Sequence, residues 1–241
     1  MKRIAAVLVF VMFCFSAVYA KDPGRLFGNV FGGYATVSME AVNEDINAAY
    51  DDGEILFPDR SKQNAESGFV VGADLGLIPW GGLMVALRGE YIGGIKASYK
   101  SDPDGALLET NLEPVLIPVM AGVKYELDVP TTAFFISAGI FGGYGIADVA
   151  LDISIAGTKV ENNFRGEGFV AEAAGEFGLR TSESVSFAVN VLYRAANIAE
   201  VKCVENTDLY DEGDVLEKDS GGAMGMDFSG LAVGGSMLIR F

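Results

Sequence analysis

Residues 185 to 194 read Val-Ser-Phe-Ala-Val-Asn-Val-Leu-Tyr-Arg, which places Val185, Phe187, Val189, Val191 and Tyr193 on one face of a β-strand. Ser186, Ala188, Asn190, Leu192 and Arg194 fall on the other. The alternation recurs along the chain with charges on the second face: Arg88 and Glu90, Lys124 and Glu126, and Glu172, Glu176 and Arg180 all stand opposite rows of Val, Leu, Ala and Phe. A soluble sandwich buries its apolar face in a core, whereas an apolar face repeated against a charged one is the dyad pattern of a transmembrane β-barrel, apolar outside and polar inside. Eight such segments are predicted, at about 26–39, 67–78, 82–95, 114–127, 132–146, 168–181, 185–196 and 228–241. Connections alternate in length. Those at Pro79–Gly82, Asp128–Thr131 and Thr181–Ser184 are tight, and those at about 40–66, 96–113, 147–167 and 197–227 are long. The pattern predicts an all-β, up-and-down, antiparallel eight-stranded barrel with short periplasmic turns, long outer loops and both termini on the short-turn side.

Ahead of the first segment, Lys2 and Arg3 precede an apolar run from Ile4 to Phe15, followed by Ala17-Val-Tyr-Ala20. This is the plan of a secretory signal peptide over residues 1–20, with the barrel domain over 21–241. The run is too short for a membrane helix, which takes about 20 apolar residues. Removing residues 1–20 takes away Lys2 and Arg3 and no acid, so the formal net charge moves from −16 to −18. Such acidity argues against nucleic acid as a partner. Only Cys203 remains of the two cysteines, so no internal disulfide is expected; placed in the last outer loop, it should be accessible there. The acidity is concentrated in the long connections. Residues 40–66 hold eight acids against two bases and 195–227 nine against two. Two readings stay open for them, plain solvation and weak divalent-cation binding.

Aromatic residues are expected to mark both membrane interfaces, with Trp80, Phe134, Phe187 and Phe241 low and Phe69, Tyr91, Tyr144, Phe169 and Tyr193 at the other rim. The pairs Gly32-Gly33, Gly93-Gly94, Gly142-Gly143 and Gly234-Gly235 lie within strands, where kinks or bulges would relieve the bending of a small barrel. Pro118 forfeits a ladder hydrogen bond and predicts a local bulge.

Eight strands enclose a lumen just wide enough for side chains or one small ligand. Ten charged positions point inward: Asp74, Glu90, Glu126, Glu172 and Glu176 against Arg88, Lys124, Arg180, Arg194 and Arg240. The balance suits a sealed or narrowly wet interior, because an unpaired buried charge costs several kcal/mol, on the order of 3–5 when one partner of a pair is removed. Two pairings follow from the short turns, Glu172 opposite Arg194 and Asp74 opposite Arg88. This network is read either as a plug that holds the barrel or as a gate whose ion pairs exchange. Inward Val70, Ile78, Met84, Ile92, Met120, Phe135, Phe141, Val170 and Leu192 provide packing or a niche for a small hydrophobic solute. The chain has no histidine to activate a serine, and no catalytic residue, cofactor site or metal site is read from it, so an enzyme is not expected.

Pro118-Val-Met-Ala-Gly-Val-Lys-Tyr125 and the terminal Ser236-Met-Leu-Ile-Arg-Phe241, set among the alternating segments and long loops, resemble the small eight-stranded outer-membrane barrels of the OmpW type, with the OmpA/OmpX type second. The resemblance spans the mature chain as architecture. It implies a bacterial outer-membrane location, contact with outer-membrane lipid and lipopolysaccharide, and Phe241 as the signal read by the barrel-assembly machinery. Gly235 departs from the pattern, holding an alternating position usually filled by an apolar residue. OmpW-type proteins offer a narrow, partly hydrophobic lumen, so the implied function is a narrow channel for small solutes, hydrophobic ones included. OmpX- and Opa-type barrels act through their outer loops, which implies the alternative of a surface-exposed adhesion, immune-evasion or structural barrel.

Overall fold

The computed structural model describes residues 25–52, 60–102, 107–218 and 221–241. The signal-peptide reading falls on residues 1–20, outside the described residues. Twelve strands and one helix follow in order: β1 (Arg25–Thr36), α1 (Glu40–Asp52), β2 (Arg60–Gln63), β3 (Ser67–Trp80), β4 (Leu83–Gly93), β5 (Ala97–Ser101), β6 (Leu108–Asp128), β7 (Phe134–Ile155), β8 (Thr158–Arg180), β9 (Val185–Ile198), β10 (Lys202–Cys203), β11 (Met226–Asp227) and β12 (Gly230–Arg240). Eight of them close into an antiparallel ring, β1-β3-β4-β6-β7-β8-β9-β12 and back to β1. Closure leaves no unpaired edge, which is what permits a sheet to stand in hydrocarbon. Both ends of the ring lie at the short-turn side, where the Phe241 amide donates to the Leu26 carbonyl at 2.9 Å.

The two faces of the ring sort as the alternation dictates. Val30, Val71, Leu75, Val119, Val123, Ile140 and Val189 are exposed on the outside. Aromatics border this belt: Trp80, Tyr125, Phe134, Phe177, Phe187 and Phe241 towards the short turns, and Tyr34, Phe69, Tyr91, Tyr144, Phe169 and Tyr193 towards the other end. Phe134 and Tyr144 are ten residues apart on β7. At about 3.3 Å per residue and about 40° of tilt, that is about 25 Å of membrane normal, the height of an outer-membrane hydrocarbon band. Above Ile146 the exterior turns polar at once, with Arg165 donating to Asp148 (2.6 Å), Lys159 to Glu161 (2.7 Å), and Lys96 to Glu113 (2.6 Å). There the hydrogen bond to Glu161 raises the pKa of Lys159 and lowers that of Glu161.

Four sequence expectations are corrected. The segments 96–113 and 147–167 are not loops over most of their length: β6, β7 and β8 run to 21, 22 and 23 residues, far beyond the 9–11 needed to cross. They carry the sheet out of the membrane to a tight turn at Ala156-Gly157, both with positive φ. The acidic segment 40–66 holds α1 and β2. Val42 and Ile46, with Ala49 and Tyr50 beside them, form the i, i+4, i+7/8 stripe that a helix buries, while Glu40, Glu44 and Asp51 face out. Pro118 makes no bulge. The β4–β6 ladder skips it between Gly89↔Val119 and Ile92↔Leu116 and resumes in the same register, and β6 stays paired with β7 throughout. The paired glycines likewise cause no register shift. Gly33 and Gly234 face each other across β1 and β12, and a Cβ on Gly33 would come within 2.3 Å of the Val233 carbonyl oxygen. These positions are glycine because two backbones approach too closely for a side chain. Among the described residues the ring ladders shift register only between Leu77 and Trp80, at the end of β3 before the turn into β4.

The extended strands enclose an apolar core above the membrane. Leu112, Val149, Leu151 and Phe164 of the strands meet Met39, Val42 and Ile46 of the helical segment, and Ile198, Val201, Leu216, Met224, Met226 and Phe228 of the last long segment. Asn43 ties α1 down, its side-chain amide donating to the Ala65 carbonyl (3.1 Å) and its oxygen accepting from the Ala65 amide (2.7 Å). On the far side, Tyr210 packs edge-on against Phe164 at 5.0 Å. The outer mouth of the barrel is thus covered by α1 and by residues 199–218 folded onto β8.

Candidate functional site: a charge network in the lumen

Short hairpins set which side chains meet first. Because β3 turns tightly into β4, Asp74 lies opposite Arg88, and because β8 turns tightly into β9, Glu172 lies opposite Arg194, Glu176 opposite Asn190 and Arg180 opposite Ser186. Alternation points each of these side chains into the lumen, where they sort into three levels.

The outermost level joins Asp74, Arg88, Glu90, Glu172 and Arg194. Arg88 grips Asp74 side-on, Nε to Oδ1 at 2.7 Å and Nη2 to Oδ2 at 3.0 Å, while its Nη1 donates to Glu172 across the lumen. Arg194 donates from Nη2 to Glu90 Oε2 (2.5 Å) and Glu172 Oε2 (3.0 Å). Asn29 of β1 adds a hydrogen bond to Asp74 Oδ2 at 3.0 Å. The Arg88 guanidinium is sandwiched between rings, 3.8 Å from the Phe141 centroid and 4.6 Å from that of Phe31. All of this is buried: Arg88 is 1% exposed and Glu90 5%.

One level down, Lys124 Nζ donates to Glu176 Oε2 at 2.9 Å, and Ser137 Oγ donates to the same oxygen at 2.8 Å. Lys124 is 2% exposed. Glu172 and Glu176 are four residues apart on one strand, so the two levels are separated by about 13 Å along β8. At the periplasmic end, Arg240 Nη2 meets both Glu126 oxygens at 2.7 Å and Nη1 donates to Ser186 Oγ at 2.8 Å, while Arg180 donates to Glu126 and pairs with Asp128. This last level is half-open. It forms the roof of a vestibule of about 870 Å³ lined by Ile78, Met84, Tyr125, Glu126, Arg180 and Arg240 among others.

All ten charged positions singled out from sequence therefore lie in the lumen, but their partners are set by the ring. Arg88–Glu172 links β4 to β8, Arg194–Glu90 links β9 to β4, and Lys124–Glu176 links β6 to β8. Residues the charge pattern did not single out complete the levels: Asn29, Ser137 and Ser186 as hydrogen-bonding groups and Phe31 as a ring under Arg88. Their signal was present in the alternation, since each sits at an inward position. The apolar positions are packed rather than vacant: Val70, Met84, Ile92, Met120, Phe135, Phe141, Val170 and Leu192 are all buried, and Ile78 lines the vestibule. Phe241 closes the lower aromatic girdle, 74% exposed to the lipid side. Cys203 corrects an expectation. It lies outside the membrane in β10 but is 3% exposed, with Sγ donating to the Glu205 carbonyl at 3.0 Å. Among the described residues, no group of three or more His, Cys, Asp or Glu side chains is arranged to hold a metal ion.

A closed antiparallel ring with a lipid-height apolar belt, aromatic borders and a charged interior defines a small outer-membrane β-barrel protein. No protein-family model matches the sequence, and no curated protein matches it. Among solved structures, the chain is similar to Neisserial surface protein A at 10% identity and a TM-score of 0.46, with 90% of this chain and 97% of that one covered. It is similar to the outer membrane protease OmpT from Escherichia coli at 7% identity and 0.46 (93% and 100%), and to the outer membrane protein OprG from Pseudomonas aeruginosa at 14% identity and 0.41 (91% and 97%).

Proposed function

We propose that this protein is a sealed barrel that acts at the cell surface through its projecting, acidic outer structure rather than as a standing pore. The observation that carries this reading is the outer charge level. It links five charged side chains from four strands across the lumen, none more than 5% exposed, which supports a lumen closed at this height. Apolar packing lies above that level, and α1 and residues 199–218 cover the mouth. The acidic segments 40–66 and 195–227 belong to this outer structure and are its means of contact with partners. In this reading no catalysis is involved: the chain has no histidine, and the lumen carboxylates are engaged by arginine or lysine. The belt takes up outer-membrane lipid, and Phe241 serves recognition by the assembly machinery. Planar-bilayer recording of the refolded protein tests the proposal. The expected result is a membrane that stays at baseline conductance; a reproducible open level would refute sealing and establish the narrow-channel reading in its place.

A further inference from the structure

Charge does not balance within the outermost level. Asp74, Glu90 and Glu172 contribute three carboxylates, and Arg88 and Arg194 two guanidiniums. The charged groups that act on Glu90 are Arg88 on its own strand, Glu172 from β8 and Arg194 from β9, while β6 beside it offers the buried apolar Leu116 and Met120. Lys124 and Glu176 neutralise each other in the level below. The surplus negative charge is thus not compensated within its own level. A second observation locates it. Glu90 Oε2 accepts from Arg194, but Glu90 Oε1 is buried with no hydrogen-bond partner, 3.9 Å from Arg88 Nη1. In the other two carboxylates both oxygens accept from a guanidinium, those of Asp74 from Arg88 and those of Glu172 from Arg88 and Arg194. An ionised oxygen with no donor in a buried site is costly, and protonation removes the charge that makes it so.

We infer that the outermost lumen level binds one proton, carried by Glu90, so that the closed plug contains one neutral carboxylic acid, two carboxylates and two guanidiniums. An alkali cation would bring the same single charge. It needs a shell of several oxygens, however, and among the described residues the oxygens buried without a partner at this level are Glu90 Oε1 and Asn29 Oδ1, with Arg194 Nε as an unpartnered donor that would repel a cation. The proton fits a site with so few free acceptors.

The test uses full-length mature protein refolded in lipid vesicles and two readouts. Infrared difference spectroscopy in H₂O and D₂O at neutral pH should show the C=O stretch of a protonated carboxylic acid, shifted by deuteration and lost in Glu90→Gln. Thermal unfolding should separate the carboxylates: Glu90→Gln, which keeps the neutral form, melts with the native protein, while Glu172→Gln melts lower. No acid C=O band in the native protein, a band that survives Glu90→Gln, or equal destabilisation by both substitutions would overturn the inference. So would a melting temperature that follows sodium concentration against a choline control, which would assign the charge to an alkali ion. Every outcome is independent of conductance, so the proton site and the sealed-barrel reading fail separately.

Discussion

Arg88 is the side chain on which the plug depends most. Arg88→Met keeps an apolar stem of similar reach between Phe31 and Phe141 but removes the guanidinium that holds Asp74 by two hydrogen bonds and reaches Glu172. Three carboxyl groups would then face Arg194 alone. Breaking one buried pair by deleting a partner costs about 3–5 kcal/mol, and a desolvated cation–π contact adds about 2 kcal/mol. Methionine packing and inflowing water return part of this, so a loss of about 4 kcal/mol is expected, close to a thousandfold in the folded-to-unfolded ratio. Arg88→Lys should fall between, since an ammonium supplies charge but cannot form the side-on fork with Asp74. Combining Arg88→Met with Glu172→Gln should recover more than about 1 kcal/mol relative to the sum of the single losses, because the two groups touch. Equilibrium unfolding in denaturant, in lipid vesicles, measures this, with fluorescence of Trp80, the sole tryptophan, reporting the lower interface. If Arg88→Met unfolds within about 1 kcal/mol of the native protein, as an ordinary surface substitution does, the lumen is wet and the plug argument is wrong.

Three further outcomes follow from other parts of the barrel. Gly143→Ala puts a Cβ 2.1 Å from the Val119 carbonyl oxygen, whereas a Cβ at Gly175 meets nothing within 4 Å; the first should cost about 1–3 kcal/mol in the same unfolding assay and the second nearly nothing. Ile140→Arg, at a position 65% exposed between Phe134 and Tyr144 in the middle of the belt, should cost about 2–4 kcal/mol, while Asn163→Arg on the outer extension should be tolerated; equal effects would displace the membrane from this belt. Cys203 should resist an impermeant maleimide on intact cells and react once unfolded, whereas Lys202→Cys in a Cys203→Ser background should react directly; rapid labelling of native Cys203 would mean that β10 does not hold onto β8.

The sequence alone determined the barrel, because a period of two with charges on one face has few other solutions. It also determined the turns. Where two residues join β3 to β4 and four join β8 to β9 there is no slack, so Asp74 with Arg88 and Glu172 with Arg194 could be read from residue numbers. Beyond the membrane the reading weakened, because the alternation there is blurred: β7 and β8 from Ala147 to Gly166 carry Asp, Asn and Ser among their apolar residues and look like loop. What lengthens them into strands is a core supplied from elsewhere, by Val42 and Ile46 of α1 and by Leu216 and Phe228 near the other end of the chain. The plug is decided only by closure. Arg88 and Glu172 are 84 residues apart, and Arg194 and Glu90 104; no local spacing brings them together. Only when β12 meets β1 does the ring set the opposite walls within reach of one guanidinium and exclude the water that would otherwise weaken each ion pair.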